Sequence, residues 1–287
     1  NALHLLDGNQ LVFARFMHIA DAAALAPADS PLDLVARERG ANLYLPEKLI
    51  PMFPHSLTET LGLGLNATSP ALSVGFEIDG NGRLQNSQIA LTTVRVTRMT
   101  YAAASTELES RFAAIAAMLQ RFRERRMQAG AAGIDLPEVS VRLDGDDILI
   151  RPLERGGSRQ MVAEAMMAAG EAVAEFAISN GIVIPYANQP PPDEVRTPDS
   201  MSGMFAYRKL FKPSRMAMEP ERHFGLGLDH YTRATSPLRR YPDLVTHQQV
   251  RAFLATLDRG SFSEAALDLD VNQSSVSYAV SQLEKGL

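Results

Sequence analysis

The 287 residues are enough for one large domain, or for a large domain with a small one attached. With 46% hydrophobic and 21% charged residues the composition is globular, and no apolar run reaches the roughly 18 residues of a membrane-spanning helix, so we expect no membrane partner. The absence of cysteine excludes disulfides and thiolate metal sites, and the net charge of −5 excludes a protein whose whole surface coats nucleic acid.

The first part of the chain is predicted to form a hairpin followed by a capped helix. Residues 3–6 and 11–19 alternate around a polar turn at 7–9, which predicts two antiparallel strands. Because the chain opens on Asn1, directly in the first strand, we expect it to begin inside a domain. A helix is predicted over 31–40, where a serine precedes a proline at the start and a glycine stands at the end.

The middle of the chain alternates predicted strands with longer helices. In chain order these are a strand over 72–78, a strand through 94 to 101, a helix over 106–129, a hairpin over 135–152, a helix over 161–181 and a basic helical region over 200–215. The helices are predicted because leucine, isoleucine, phenylalanine and methionine recur at helical spacing. A methionine stripe of this kind is typical of core packing.

Residues 231–247, Y-T-R-A-T-S-P-L-R-R-Y-P-D-L-V-T-H, place hydroxyl groups, a proline and two arginines in one short turn. Pro237 disfavours the α region for Ser236, so the chain should be extended up to the proline and a helix should begin there. Amides at a helix start attract anions, and an arginine in the first turn grips phosphate. Arg239 and Arg240 therefore indicate a phosphate site, although a solvated helix start with surface arginines has the same pattern.

Two further groups of basic residues stand out. The first consists of Arg208, Lys209, Lys212 and Arg215, followed by Arg222 and Arg233. The second consists of Arg121, Arg123, Arg125 and Arg126 on the predicted 106–129 helix, where a solvated face is favoured. In a chain of net negative charge, a site for a polyanion must come from such local clusters.

The 231–247 segment resembles the signature of the ribonuclease II family's catalytic domain, T-S-P-[IL]-R-[RK]-Y-x-D-L-x-x-H. Other pieces of that domain occur in the same order: H-I-A-D at 18–21, Y-L-P at 44–46, I-P-M-F-P at 50–54 and H-F-G-L-G-L at 223–228. The resemblance covers roughly residues 1–254. It implies an α+β fold of the ribonuclease II type, with a mixed or antiparallel sheet flanked by helices.

The resemblance also implies a 3′-to-5′ exoribonuclease that hydrolyses single-stranded RNA to nucleoside 5′-monophosphates with Mg²⁺. Arg239, with Arg240 beside it, matches the family's catalytic arginine at the scissile phosphate. Tyr44 matches the tyrosine that packs on the 3′-terminal nucleotides, although an ordinary half-buried strand tyrosine fits the same pattern. The other RNA-binding residues that the resemblance implies are Thr235, Ser236 and Tyr231.

The metal site that the resemblance implies is incomplete in this sequence. Two magnesium ions held by clustered carboxylates would activate water and neutralise phosphate charge. The family's acid series ends in D-x-D-D-A-L, and Asn1 stands where its last, catalytic aspartate is expected. Asparagine keeps an oxygen acceptor but loses the charge, which predicts slow hydrolysis or none. The other acids would precede Asn1, so no metal ligand is assigned, and Asp21 and Asp33 fit capping or salt-bridge roles better.

Residues 255–287 differ in character from the rest. Two short helices joined near 270–273 predict a helix-turn-helix. The motifs G-S-F-x-x-A-A and Q-x-x-V-S, followed by L-E, resemble the winged helix-turn-helix of LysR-type transcription regulators. A second helix rich in serine and glutamine is suited to reading base edges in DNA. The residues in that role would be Gln273, Ser274, Ser275 and Ser277.

We therefore expect two parts, a ribonuclease II-like catalytic domain over 1–254 and a helix-turn-helix-like segment over 255–287, in a cytoplasmic protein. A helix pair that merely closes the catalytic domain is the competing interpretation of the second part. The alternative function is a nucleic-acid-binding regulator with a degenerate nuclease domain and a DNA-reading segment. A scaffold that binds no nucleic acid is the third hypothesis.

Overall fold

The computed structural model describes residues 2–5, 15–134, 136–145, 147–153 and 156–269, and beyond them positions 271, 273, 274, 276 and 277. Asn1, Ser275 and the turn predicted at 7–9 lie outside these described residues. Among the helices that the structure describes, none is both long enough and apolar enough to cross a membrane.

The strands form one four-stranded sheet and three small two-stranded ribbons. They are β1 (Ala2–Leu5), β2 (Arg15–Ala20), β3 (Leu43–Tyr44), β4 (Leu49–Ile50), β5 (Ser69–Ile78), β6 (Leu84–Val94), β7 (Val139–Asp144), β8 (Asp147–Pro152), β9 (Tyr186–Asn188) and β10 (Arg215–Ala217). The larger sheet has the antiparallel order β1-β2-β5-β6, and the ribbons pair β3 with β4, β7 with β8 and β9 with β10.

The helices surround this sheet, and the fold is α+β as predicted. They are α1 (Pro31–Arg39), α2 (His55–Leu61), α3 (Tyr101–Thr106), α4 (Ala113–Gln128), α5 (Gly157–Ser179), α6 (Met201–Arg208), α7 (Tyr241–Arg259) and α8 (Phe262–Leu269). Short 3-10 turns occupy Ala22–Ala24 and Phe224–Leu226.

The main core lies between the four-stranded sheet and helices α4 and α5. Leu72, Val74 and Phe76 of β5 belong to this core, and the residues between them, Ala71 and Ser73, are buried as well, so both faces of the strand are covered. Helix α5 contributes mostly alanines to this core, so its backbone lies close to the sheet and to the loop that follows it. Burial of α5 on nearly all sides makes it the central helix on which the later segments rest.

A second core cluster joins the N-terminal helices to α7. Met52 and Phe53 are both fully buried there, together with Leu57 of α2 and Leu244 of α7. The proline-containing stretch before α2 is thus packed against α7, the helix that follows the two arginines. This packing brings segments about 200 residues apart in sequence to the same place.

Several sequence predictions of helices and strands are confirmed, and others differ from the structure in where an element begins or ends. Ser30 caps α1 by accepting a hydrogen bond from the Asp33 amide at 3.2 Å, and the hairpin within 135–152 is present as β7 and β8. The strand expected to run to Tyr101 ends at Val94, because Thr100 caps α3 through the Ala103 amide at 3.1 Å.

The helix expected over 106–129 is present as α4, which begins only at Ala113, while α3 ends at Thr106. Residues 107–112 form turns between them, in which the Phe112 amide donates to the Glu107 carbonyl at 3.1 Å. That five-residue bond closes a turn wider than an α-helical one, so regular helix cannot continue through it. The helix expected over 161–181 is present as α5, which begins four residues earlier and ends two residues earlier than predicted.

The C-terminal part packs on the end of α7. Ala255 of α7 forms a small buried cluster with Ala265, Ala266 and Val276. Position 254, where we placed the domain division, falls inside α7 and so within one continuous helix. The division itself stays a prediction.

Candidate functional site

The turn that carries the two arginines is closed by its own backbone. The amides of Arg239 and Arg240 both donate to the Ser236 carbonyl at 3.1 Å. The Ser236 amide donates to Oδ1 of Asp243 at 2.8 Å. Helix α7 begins only at Tyr241, so the prediction of a helix start at Pro237 is wrong. Because these three amides are bound inside the protein, the anion site cannot rest on them and must rest on side chains.

Asp243 is the group that holds this turn together. Its side chain is fully buried, and Oδ1 accepts from the Ser236 amide and from Nη2 of Arg240 at 2.6 Å. One carboxylate oxygen therefore ties the start of the turn to its end. A charge-assisted bond of this kind is stronger than a neutral one, so the turn is stiff.

The structure gives the two arginines different environments. The Arg240 side chain is 30% exposed and is bound by Asp243, so its guanidinium is largely committed to holding the turn. Arg239 is exposed, and among the described residues its side chain has no hydrogen-bond or ion-pair partner. Arg239 is thus the arginine whose guanidinium is available to a phosphate.

A second extended segment pairs with the arginine turn and carries Tyr44. The Asn42 amide donates to the Arg239 carbonyl at 3.0 Å, and the Tyr241 amide donates to the Gly40 carbonyl at 2.8 Å. Tyr44 follows Asn42 by two residues, which places both on the same side of an extended chain. Asn42 Nδ2 donates to the Tyr44 hydroxyl at 3.5 Å, which agrees with that placement.

Tyr44 is 63% exposed, so its ring is free to stack on a planar ligand. Asn42 itself is fixed, because its Oδ1 accepts from the Met52 amide at 2.6 Å. The exposed tyrosine and the exposed arginine therefore stand on two neighbouring, hydrogen-bonded segments. An exposed aromatic ring and an exposed guanidinium on neighbouring segments suit a ligand that has both a base and a phosphate.

The remaining predicted contact residues lie deeper in the protein. Thr235 and Ser236 are 5% and 8% exposed, so they shape the turn from the inside. The Tyr231 ring packs against Gly170 of α5, where a Cβ atom would stand 2.2 Å from Tyr231 Cε2. Burial raises the pKa of the Tyr231 hydroxyl, so this residue is neutral at ordinary pH.

His247 lies under the turn and is fully buried. Its Nε2 donates to the Ala234 carbonyl at 2.7 Å, which fixes the ring tautomer because a carbonyl can only accept. Burial lowers the His247 pKa, while nearby Asp21 and Asp243 oppose the shift. The ring is therefore neutral, and its other nitrogen, Nδ1, is a buried acceptor without a hydrogen-bond donor among the described residues.

The acids of the family-like motifs serve as structural partners. Asp21 is paired with Arg251 of α7, and Asp33 binds Arg37 at 2.8 Å and Gln248 of α7 at 2.9 Å. These are the salt-bridge roles expected from the sequence. Within the described residues no group of three or more histidine, aspartate or glutamate side chains could hold a metal ion. This part of the chain thus does not fit the two-magnesium site that the resemblance implies.

A cavity along α5 is lined by two glutamates whose pKa values are raised, Glu171 and Glu175. Glu171 of α5 is buried and bound by Arg125 at 2.5 Å. Burial and the neighbouring Glu171 raise the pKa of Glu175 to about 7. Asp229 and His230, which precede the arginine turn, line the same cavity. The protonation of Glu175 therefore changes near neutral pH.

The proposed DNA-reading residues follow α8 in the chain. Gln273 and Ser274 are exposed, Ser277 is partly buried, and Ser275 lies outside the described residues. Val276 between them is fully buried against the alanines of α8. Exposed Gln273 and Ser274 thus lie next to a buried apolar residue, and their role in reading DNA stays a prediction.

Sequence reasoning missed the positioning residues Asp243, Asn42 and Gly170. Asp243 was visible as the aspartate of the signature, but nothing in its spacing showed that it accepts from an amide seven residues earlier. Asn42 and Gly170 carry no recognisable sequence signal, since each acts through a contact with a distant segment.

Two family models match this chain. The RNB domain model matches residues 9–204 and 196–256, and the model for bacterial regulatory helix-turn-helix proteins of the lysR family matches residues 247–287. The two matches overlap within α7. The second match therefore begins inside the helix that carries the arginine turn at its start.

Similar proteins include ribonucleases of bacteria and plants. An uncharacterized ribonuclease of Synechocystis sp. is 36% identical over 265 residues, covering 87% of this chain and 39% of its own length. The chloroplastic/mitochondrial ribonuclease II of Arabidopsis thaliana is 29% identical over 290 residues, covering 93% of this chain and 36% of its own length. The chain thus spans about two fifths of the length of these relatives.

The fold matches a solved ribonuclease. The structure of Mycoplasma genitalium RNase R in complex with ribose-methylated single-stranded RNA aligns with a TM-score of 0.77 at 19% identity, covering 99% of this chain and 52% of the other. At this identity the likeness concerns the fold alone. Because it covers nearly the whole chain, it extends past residue 254 into α8.

Proposed function

Since this chain belongs to the RNB domain family, we propose that it is the RNA-binding and catalytic part of a 3′-to-5′ exoribonuclease that degrades single-stranded RNA. The observation that carries the proposal is the pairing of the 40–44 segment with the arginine turn. It puts an exposed aromatic ring, and a guanidinium that has no ion-pair partner among the described residues, on neighbouring hydrogen-bonded segments. The direction of degradation and the nucleoside 5′-monophosphate product follow from the family resemblance.

In this proposal each residue of the site has a distinct task. Tyr44 stacks on a base near the 3′ end, and Arg239 binds the phosphate and stabilises charge that develops on it. Asp243 and Arg240 hold the backbone from which Arg239 extends, with Thr235 and Ser236 inside the turn. Tyr231 anchors the approach to the turn on α5.

Magnesium is the metal that the family resemblance implies, and it would supply an activated water when bound. The described residues offer no cluster of ligands for it, so we assign no step to it. The resemblance places a family aspartate at Asn1, and we propose that the missing charge slows or prevents hydrolysis in this form. We expect RNA binding at Tyr44 and Arg239 to persist, because stacking on a base and pairing with a phosphate do not require a carboxylate at position 1.

The proposal is tested with the full-length protein and a 5′-labelled single-stranded RNA in Mg²⁺. The Asn1→Asp variant should shorten the RNA from its 3′ end, whereas the Asn1 form should bind it with little cleavage. In the Asn1→Asp background, Arg239→Ala should lower the cleavage rate by about 100-fold or more, as loss of one charge-stabilising donor typically does. Arg142→Ala, at an exposed arginine on β7, is the matched control and should leave the rate unchanged.

A separate binding measurement tests the aromatic contact. Tyr44→Ala should weaken RNA binding by about 1–3 kcal/mol, while Tyr44→Phe should retain it, because the ring supplies the stacking surface. If Asn1→Asp cleaves nothing although both forms bind nucleic acid, the exonuclease proposal fails. If Tyr44→Ala and Arg239→Ala bind RNA as the unchanged protein does, the site is wrongly placed.

The lysR-family match supports a second candidate, a DNA-binding regulator. Here Gln273, Ser274, Ser275 and Ser277 would read base edges, and the RNB-like part would bind RNA without cleaving it. Gln273→Ala should then reduce binding to specific duplex DNA and leave RNA binding intact. If the protein does not bind duplex DNA, or if Gln273→Ala leaves that binding unchanged, the regulator hypothesis fails. The C-terminal segment is then a helix pair that closes the catalytic domain.

A further inference from the structure

We propose that the outer face of α6 and the segment that follows it form a second contact surface for single-stranded RNA, beyond the Tyr44–Arg239 site; the inference rests on the proposed RNA-binding function. We call it the α6 surface. It consists of Met201, Phe205, Arg208, Lys209, Arg215 and Met218.

The first observation is that α6 leaves its large side chains in solvent. Met201 is 61% exposed and Phe205 is 51% exposed. With Lys209 they follow one another at intervals of four residues, so they form one stripe along the helix. The inner side of α6 is anchored instead by Tyr207, which is buried and meets the ring of Phe211 edge-on at 4.9 Å. The exposed stripe is therefore a fixed face of a packed helix.

The second observation is the charge of this segment. Residues 201–218 contain four lysines and arginines and no aspartate or glutamate, in a chain of net charge −5. Lys212 is paired with Asp193 at 2.8 Å, but Arg208, Lys209 and Arg215 form no ion pair with any other residue that the structure describes. Uncompensated positive charge concentrated in one exposed segment attracts a polyanion.

The third observation is that an aromatic ring stands among these charges. Nζ of Lys209 lies 4.7 Å from the centroid of the Phe205 ring. This contact holds the lysine beside the ring. Phe205 could therefore stack on a base while Lys209 binds the phosphate next to it. An acidic peptide would use the charges but not the exposed ring, and that difference favours RNA.

The α6 surface is joined to the first site by paired strands. Arg215 and Met216 belong to β10, which pairs with β9, and Tyr186 of β9 bridges to Thr232 at the entrance of the arginine turn. An RNA whose 3′ end occupies the first site has its remaining nucleotides available for the α6 surface. The contact would therefore matter only for RNA long enough to reach both.

The test uses the full-length protein in its Asn1 form and two labelled RNAs, of 5 and 25 nucleotides. The Phe205→Ala/Lys209→Ala variant should bind the long RNA about tenfold or more weakly and the short RNA unchanged. Its affinity for the long RNA should also depend less on salt, with a slope lower by about 0.7 for the lost lysine contact. Circular dichroism should be unaltered, since both side chains are exposed.

Arg111→Ala is the matched control, because its guanidinium also lies over an aromatic ring, 5.6 Å from the centroid of Phe112, but in the turns before α4 and not in the α6 segment. It should leave both affinities unchanged. Unaltered binding of the long RNA by the α6 variant overturns the inference, as does an equal loss for both lengths. Displacement of the long RNA by poly-glutamate from the unchanged protein but not from the α6 variant would make the surface a protein-docking site instead.

The outcomes separate this inference from the proposed function. If Arg239→Ala weakens binding of both RNAs while the α6 variant binds them normally, the α6 surface fails and the first site stands. If the α6 variant loses the long RNA while Arg239→Ala and Tyr44→Ala change nothing, the first site fails and the α6 surface stands.

Discussion

Replacing Asp243 should both destabilise the protein and weaken RNA binding. Asp243→Ala leaves the Ser236 amide buried without an acceptor, which costs about 1–3 kcal/mol. It also removes the partner of Arg240. Loss of a fully buried ion pair costs about 3–5 kcal/mol, and because the Arg240 side chain is 30% exposed we expect a smaller cost of about 1–2 kcal/mol. Together the two effects should lower the free energy of unfolding by about 2–5 kcal/mol.

Asp243→Asn separates the two contributions. The amide oxygen of asparagine can still accept from Ser236, so only the charge on Arg240 loses its partner and the cost falls to about 1–2 kcal/mol. Urea titration monitored by circular dichroism gives both values, and a labelled short RNA reports the loosening of the turn that carries Arg239. Asp258→Ala, at an exposed aspartate near the end of the same helix, is the control.

The reasoning predicts an order, with the alanine variant losing more than the asparagine variant and the control losing little. If both Asp243 variants unfold within about 1 kcal/mol of the unchanged protein and bind the short RNA normally, Asp243 does not hold the turn. If the two variants lose stability equally, the bond to the Ser236 amide contributes nothing.

Three further predictions concern α5. Gly170→Ala places a Cβ atom 2.2 Å from the Tyr231 ring and 2.7 Å from the Thr232 carbonyl. It should lower the free energy of unfolding by at least about 1–3 kcal/mol and weaken RNA binding. The control Gly80→Ala, whose Cβ atom meets nothing within 4 Å, should do neither. Glu164→Ala leaves Arg126 buried without its partner and should cost about 3–5 kcal/mol in urea titration; a cost below 1 would contradict this. Burial raises the pKa of Glu175 to about 7 from 4.5, so its contribution to stability is full below about pH 4.5 and is lost as pH rises through 7. Glu175→Gln should remove that decline, seen as urea midpoints at pH 5, 6, 7 and 8, and an unchanged pH slope would show that Glu175 titrates normally.

The site was predictable where it depends on residue type and local pattern. Arg239, Tyr44 and the capped helix α1 were identified from short motifs, and the structure leaves the first two exposed. The position of the helix start was not predictable from Pro237, because a carboxylate seven residues later captures the Ser236 amide and delays the helix. The pairing of the 40–44 segment with the arginine turn joins residues nearly 200 apart, and no local propensity encodes such a contact.

Helix α7 has a mechanical consequence. Its first turn holds Asp243 and supports Arg239, and its last turns pack on Ala265 and Val276 through Ala255. Between these ends it is a continuous helix of 19 residues, about 28 Å long at 1.5 Å per residue. A continuous helix is stiff, so a displacement of the C-terminal segment is transmitted along α7 to the arginine turn. A partner that binds residues beyond 259 and a ligand that binds at Arg239 are therefore coupled, because both act on the position of α7.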